Sequence, residues 1–486
     1  MIAIKTIKRE RIHLVFLIIT AGCMLFSPKA LANGTSETTN IDTAVNGTQG
    51  PNSPPLNGGD TLNISPSGSI TTTLGFSSAI VGEGNSNKVN NQGKLETSGD
   101  FSYAIWTSGG TGTLVNNLGT ISTAGFFSRG VDISGGFSSV VNQGVIIVSG
   151  TQAQPVITRD GNNSIINYGS ISSAGYDSSG LVGFGGNTTI QNYGSIRTIG
   201  EISDGIYLDN NDGNTATNSG TISTQGDNAM GINVAGSNSV ISNNGTISTT
   251  GSSTIPYPRG AEGIHLLGSN SIIINSGTIT TTGGGSDGVY AVGNTNSISN
   301  RGKIVTSGDG ADGIQILGSN NNSLNNTGSI LTSGEYSNGI YAQGDGNSIN
   351  NSGSISSSGD YGTGMAIHGN SNVITNSGTV EASGNEQALV GSPYGIYISG
   401  DSNNLLNTGV ISTQKGYAVY VSGNGNVVSN SGSIVSAEGY ALYFDGTGNT
   451  FNSINNFLAG KINMGANGVV NIKTGANYSK LFTFEG

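Results

Sequence analysis

Residues 297–332 read SISNRGKIVTSGDGADGIQILGSNNNSLNNTGSILT. The stretch holds two copies of one phrase, Asn300-Arg301-Gly302-Lys303-Ile304 and Asn326-Thr327-Gly328-Ser329-Ile330. Between them lies one Gly-led apolar run, Gly313-Ile314-Gln315-Ile316. The phrase N-x-G-x-[I/L/V] also recurs at Asn91, Asn117, Asn142, Asn167, Asn192, Asn218, Asn243, Asn275, Asn351, Asn376, Asn407 and Asn430, mostly 25 or 26 residues apart. Pro66-Ser67-Gly68-Ser69-Ile70 is a degenerate copy ahead of them, and a decaying copy follows at Asn456. Self-similarity at such a period marks a stacked-repeat architecture.

Each unit carries three short apolar runs. One residue lies two places before the Asn (Val89, Val115, Val140, Ile165) and one lies four places after it (Leu95, Ile121, Ile146, Ile171). The third run follows a Gly, as in Gly205-Ile206-Tyr207-Leu208, and alternates with period two, which is the strand period. No run is long enough for a helix, and Gly interrupts every interval. About 25 residues at roughly 3.3 Å each close one three-sided turn, so some fifteen turns stack at about 4.8 Å. The fold class expected is therefore all-β, a right-handed parallel β-helix with about 25 residues per coil. Ile222, Ile247, Ile279, Ile304 and Ile330 are expected to form one inward column. The Gly two places after each Asn is expected to supply a conformation that a Cβ would penalise, the Asn side chains an amide ladder, and Thr97, Thr123, Ser173, Thr224 and Thr306 a small polar ladder inside the bend.

Composition alone, with 81 Gly in 486 residues and 9% charged residues, would suit a disordered linker, but the 34% hydrophobic content recurs at fixed intervals. The first 32 residues read as an export signal. Lys5, Lys8, Arg9 and Arg11 form a basic n-region, Leu14 to Phe26 is too short to span a bilayer, and Ala30-Leu31-Ala32 offers a cleavage site. Lipoprotein processing at Cys23 is the rival, opposed by Thr20 where a large aliphatic residue is usual. Cleavage would remove the single Cys and leave 12 basic and 27 acidic side chains, a formal charge of −15. That balance disfavours nucleic acid and attachment to anionic membranes by charge. The organisation expected is a signal peptide over 1–32, an N-terminal segment or cap over 33–65, the repeat array over 66–456, and decaying terminal coils over 457–486.

The basic n-region, the A-x-A site and the N-x-G-x-I array together make the chain resemble the passenger region of bacterial autotransporters, the type V secreted proteins. The similarity lies in architecture and repeat grammar over the whole chain. It implies an exported, cell-surface or extracellular protein of adhesive type, with a surface glycan or protein of a host or bacterial cell as ligand and an outer-membrane translocator as partner. Members of that family carry a C-terminal barrel. Here the repeats decay after Asn456 without alternating barrel strands, so the translocator would be supplied in cis downstream or in trans.

Catalytic signatures are sparse. His265 and His368 have no His or Cys partner in any repeat, so no metal ligation is assigned to them. Gly284-Gly285-Ser286-Asp287-Gly288 fits G-x-S-x-G, but it lies in a turn where Gly and Ser are everywhere. Asp209-Asn210-Asn211-Asp212-Gly213 lacks the spacing and distal Glu of a calcium loop. Two surface features stand out. Glu262, Asp287 and Asp312 occupy equivalent places in consecutive coils; stacked about 5 Å apart they would bind a cation or raise a carboxylate pKa, but a solvated bend with the three carboxylates splayed apart is the reading expected. Tyr397, Tyr420 and Tyr443 form an outward column with rings about 5 Å apart. Tyr394, Tyr417 and Tyr440 form a second column, also taken as outward, and together they read as a ligand-binding strip with a broad apolar face, the alternative being an aromatic ladder that stiffens the last coils.

The reading that follows is a non-catalytic adhesin-like passenger needing no cofactor. A carbohydrate-active β-helix that cleaves polysaccharide with Asp or Glu is the alternative, and an inert spacer is a third. Two repeats are longer. Their extra residues, Ile255 to Arg259 and Glu386 to Pro393, fall between the same two strands of a coil and should emerge from one edge.

Overall fold

In the computed structural model the described residues are 38–42, 44–47, 56–209, 211–254, 260–318, 320–385 and 393–473. They form an all-β parallel solenoid of about 16 turns, roughly 25 residues each, without helices. One coil shows the plan. Ser297–Asn300 ends in the motif Asn, Lys303–Thr306 follows the motif Gly, and Ile314–Leu317 is the Gly-led third strand. Each pairs in parallel with its counterpart in the next coil: Ile298 opposite Leu324, Ile304 opposite Ile330, Ile314 opposite Ile340.

The core follows from alternation. Ile222, Ile247, Ile279, Ile304 and Ile330 are paired in one register, and each is at most 1% exposed. The expected inward column is therefore present. The coil register begins upstream of residue 66, where the repeat array was placed to start. Thr38–Ile41 pairs with Thr61–Ile64, which pairs with Lys88–Asn91. Thr61-Leu62-Asn63-Ile64 keeps the inward alternation but has Ile64 where later coils have Asn, so the motif misses it. At the other end Phe457–Asn463 and Val469–Lys473 still pair in parallel, the first with register shifts.

The fourteen motif asparagines form one uninterrupted column. Each Nδ2 donates to the Oδ1 one coil later at 2.7–2.8 Å, from Asn91 to Asn430. All are buried to 1% exposure or less, so the amides are paired out of water, where an unmade hydrogen bond costs most. A second amide column, from Asn296 through Asn322, Asn347, Asn372, Asn403 and Asn426 to Asn449, holds the corner before the first strand. There each backbone N–H donates to the Oδ1 of the next coil at 2.7–2.8 Å.

The motif glycines serve a different purpose from the one expected. None of Gly93, Gly119, Gly144, Gly220, Gly277 and Gly353 has positive φ. A Cβ there would lie about 2.0 Å from the carbonyl oxygen of the preceding coil's Gly. Close approach of one coil to the next therefore selects glycine. The threonines also differ from the expected ladder. Thr97, Thr123, Thr224 and Thr306 donate to the carbonyl five residues on, at 2.8–3.1 Å, closing the bend into the third strand. Where the coil shortens after Asn407, that bend straightens and Ser433–Asp445 runs through both strand columns.

The two longer repeats insert between Thr246–Thr249 and Ile264–Leu267, and between Thr379–Ala382 and Tyr394–Ser399, which is the same bend of the coil. Residues 255–259 and 386–392 themselves, like the proposed signal segment 1–32, lie outside the described residues.

Replacing Asn300 with Ala should cost roughly 2–4 kcal/mol, since two buried amide groups lose partners at about 1–3 kcal/mol each. Asn430→Ala should cost clearly less, because its Nδ2 already lacks a partner. Equilibrium urea unfolding of the two variants checks this, and equal losses would show that the column is not a continuous ladder.

Candidate functional site

Every third strand turns two alternating side chains into the core and the one between them to the opposite face, where Asp132, Ile157, Val182, Asn233, His265 and Tyr290 are nonetheless covered and at most 4% exposed. In register, these outward positions form a single column along one face, running through Trp106, Asp132, Ile157, Val182, Tyr207 and Asn233. It continues through His265, Tyr290, Gln315 and Tyr341, and ends on Tyr397, Tyr420 and Tyr443. A second column stands three residues earlier, at the bend leading into each strand. The chemistry of this double column changes along the solenoid in three stretches.

The last stretch is tyrosine. Tyr394, Tyr417 and Tyr440 pair in one register and Tyr397, Tyr420 and Tyr443 in the other, and all six are half-buried. Rings within the Tyr397 column are 5.5 and 5.2 Å apart and nearly parallel, at 11° and 4°. Rings within the Tyr394 column are 5.5 and 5.4 Å apart. The two columns meet edge to face, with Tyr440 and Tyr443 at 5.1 Å and 87°. Both columns thus share the outer face. Alternation breaks just before the strand, where Gly395, Ala418 and Ala441 are buried beside Ile396, Val419 and Leu442, so the preceding tyrosine stays outside. The strip does not present the broad apolar face expected of it. Parallel rings at this separation cover one another's faces, which leaves ring edges and hydroxyls toward solvent. The column also extends backward: the His368 ring bridges Tyr341 and Tyr397 at 5.1 and 5.3 Å, filling the place above Ala366.

The middle stretch is acidic, and here the structure overturns the expected solvated bend. Glu262, Asp287 and Asp312 are 3%, 4% and 3% exposed. The bend tucks Asp287 and Asp312 under the hydrogen-bonding groups of the next coil and holds Glu262 within its own. Asp287 Oδ1 accepts the Asp312 N–H at 2.7 Å, and Asp312 Oδ1 accepts the Asn338 N–H at 2.6 Å and its side-chain amide at 3.0 Å. Gln315 donates to the other Asp312 oxygen at 3.2 Å. Glu262 accepts the Gly260 N–H at 2.9 Å and faces His265 Nδ1 at 3.4 Å. His265 Nε2 is buried without a partner. Burial, then the charges of Asp312 and Glu262, push the Asp287 carboxyl well above its usual range. Burial alone pushes Asp312 up to about 7, against the hydrogen bonds that lower it. Asp204 belongs to the same bend column and binds the Met230 N–H at 2.8 Å and Asn233 at 2.9 Å.

The first stretch is cationic and aromatic, and it was not singled out from the sequence. Arg129 and Arg159 both pair with Asp132, at 2.6 and 3.2 Å. The Arg129 guanidinium lies over the Phe127 ring at 4.4 Å and the Tyr103 ring at 5.4 Å, and Tyr103 touches Trp106 at 6.2 Å. The signal was legible only with the coil register in hand, because Arg129 and Arg159 are 30 residues apart and sit at different offsets in their coils.

The remaining motif candidates have structural roles. Ser286 Oγ donates to the Gly251 carbonyl at 3.1 Å and accepts the Ala261 N–H at 3.1 Å, which binds it into the bend. Asp209 accepts the Tyr207 hydroxyl at 2.9 Å. Among the described residues no group of His, Cys, Asp and Glu side chains is placed to hold a metal ion.

Residues 56–267 match a family described as the BigA third pectate lyase-like domain. The matched segment is less than half of the chain and contains the cationic stretch together with Asp204 and Glu262. It is similar to a pectate lyase-like β-helix, and the coils beyond it continue the same solenoid. No curated protein and no solved structure matches the chain.

The raised carboxyls give a pH signature. A carboxyl whose folded pKa lies above its unfolded value near 3.9 favours folding at low pH and loses that contribution as pH rises through the folded value. Here the loss should begin near pH 4 and, for Asp312, run up to about pH 7, with Asp287 raised in the same direction. The double variant Asp287→Asn, Asp312→Asn should match wild type near pH 4 and melt at a higher temperature at pH 7.5. Thermal unfolding across that range checks it, and a difference independent of pH would reject buried, raised carboxyls.

Proposed function

We propose that this solenoid is an exported, passenger-like adhesive protein that acts outside the cell by binding a surface glycan, without catalysis. The observation that carries the reading is the double tyrosine strip. Six half-buried tyrosines in three successive coils hold their rings in one ordered array. Stacking fixes the side chains before any ligand arrives, so little conformational entropy is lost on binding. What the strip offers is a regular row of phenol hydroxyls and electropositive ring edges at the coil spacing. A polyhydroxylated chain with its own regular repeat suits such a row. A neutral one suits it best, because Asp445 lies beside the strip and already accepts the Tyr420 hydroxyl at 3.1 Å, and the whole chain carries −11. The export signal, the repeat grammar and the similarity to a pectate lyase-like β-helix support the passenger-like part of the proposal.

Cleavage of polysaccharide is the second reading, favoured by the pectate lyase-like match and by two carboxyls whose pKa values burial raises. Against it, Asp287 and Asp312 are closed to water by their own coil neighbours. The depression among the described residues that is lined by Asn63, Asn90, Gln92, Asn116 and Gln143 lies on the Asn-strand side and is amide-rich.

Each ring contact is worth about 0.5–1.5 kcal/mol, so removing rings would disturb stability as well as binding. The informative change is therefore Tyr397→Phe, Tyr420→Phe and Tyr443→Phe together, which keeps the stack and removes the hydroxyls. Binding to a glycan array or to intact cells should fall at least tenfold with the melting temperature nearly unchanged. Unaltered binding would assign the strip to structure. Release of reducing ends from a polysaccharide, abolished by Asp312→Asn, would replace the adhesive reading with the enzymatic one.

A further inference from the structure

The bend before the third strand carries a second surface that the tyrosine strip does not explain. Its sharpest position belongs to Phe127 early in the chain, and later to Gly285, Gly310, Tyr336 and Tyr361, at φ of 55°, 61°, 64°, 56° and 59°. The Tyr336 and Tyr361 rings stack at 4.8 Å and 18°, so one face of Tyr336 is covered. Its other face looks toward Gly310, where there is no side chain and where even a Cβ would meet nothing within 4 Å. Gly285 continues the gap, so a slot two coils long, about 10 Å, opens beside the ring. Tyr336 is accordingly 51% exposed.

Acids border the slot. Asp309, Glu335 and Asp360 stand just before the sharp position in three successive coils. Asp309 Oδ1 accepts the Glu335 N–H at 3.0 Å and Asp360 Oδ1 the Asn385 N–H at 2.9 Å, which engages one oxygen of each. Among the described residues no Lys, Arg or His pairs with any of the three. The sequence has none to offer nearby. No Lys or Arg occurs between Lys303 and Lys415, whereas every coil of that stretch carries Asp or Glu. Lys303 itself stands at the start of its strand, six residues before Asp309.

A free aromatic face with acids beside it suits an organic cation. The carboxylates alone would only attract one; the ring face and the slot fix where it sits. The chain shows the complement at the same bend position, where the Arg129 guanidinium lies over the Phe127 ring at 4.4 Å and pairs with Asp132 at 2.6 Å. At Tyr336 the ring and the acids recur, and the chain supplies no guanidinium. We propose that this slot docks an arginine side chain from a basic segment of a partner protein. The planar guanidinium lies on Tyr336 over Gly310, and further cations of the segment face the carboxylates that follow at one-coil intervals. A free polyamine shares the charge but lacks the flat group that matches the ring.

The probe is a synthetic peptide alternating Arg with Ser, titrated calorimetrically into the full chain. Its Lys counterpart and spermine are the controls. The Arg peptide should bind saturably and less tightly in added salt, with both controls at least threefold weaker. Gly310→Asn keeps every charge and fills the slot, in a conformation that Asn228 already adopts at this bend position. It should lower affinity at least tenfold with the melting temperature unchanged. Glu335→Gln should weaken binding and flatten its salt dependence. Absence of binding by the Arg peptide would overturn the proposal, and so would Glu335→Gln binding like wild type. Equal affinity in wild type and Gly310→Asn would reduce the site to diffuse charge attraction and overturn it too. Spermine binding as tightly as the Arg peptide would replace the partner protein with a free polyamine.

Discussion

The structure depends on how closely one coil can lie on the next. At the motif turn the backbone of each coil comes so near the carbonyl below that only hydrogen fits at the glycine α-carbon, and two residues earlier an asparagine amide bonds to its copy. The first condition is steric and the second is a hydrogen bond made away from water, and both are met only when the register is unchanged from coil to coil. The register in turn places every side chain above its counterpart at about 5 Å. Ladders of any kind then follow without further instruction. Isoleucines fill the core, tyrosines stack, and carboxylates are forced against carboxylates.

That rule decides what each column contributes. Where like residues attract, stacking is stabilising and order is gained. Where like charges meet, the coil answers by burying them under backbone N–H donors and raising their pKa values, as at Asp287 and Asp312. The outer column of the third strand therefore changes along its length from an aromatic and cationic patch, through an acidic stretch, to the tyrosine strip. A single face carries all three, because the coil fixes position and leaves the choice of side chain free.

Most of the fold was legible in the sequence, because period and alternation are local properties. The Asn column, the inward isoleucines and the two tyrosine columns can be read from spacing alone. The reason for Gly93 and its copies could not be, since spacing says that a Cβ is excluded but not whether conformation or a neighbouring coil excludes it. Burial of Glu262, Asp287 and Asp312 was hidden for a related reason. They precede the strand by two residues, in a bend where alternation no longer assigns a side, and the groups that bind Asp287 and Asp312 belong to the next coil. The Asp132 ion pair was missed because Arg129 reaches it from the same coil and Arg159 from the next one, at unlike positions. The second amide column, at Asn296, Asn322 and Asn347, was readable as a repeat but was overshadowed by the stronger motif.

The Asn column also has a direction. Every side-chain amide before Asn430 donates toward the later coil, so the thirteen hydrogen bonds align and reinforce one another. At the early end the Asn91 oxygen is already satisfied by the Gly93 N–H, and Ile64 lies below it. At the late end Asn430 keeps a buried donor without an acceptor, with Ser453 above it. The two ends of the column therefore differ as templates. Each interior asparagine offers a donor to the coil after it and an acceptor to the coil before it, so a coil can be received at either end, but in one amide orientation only.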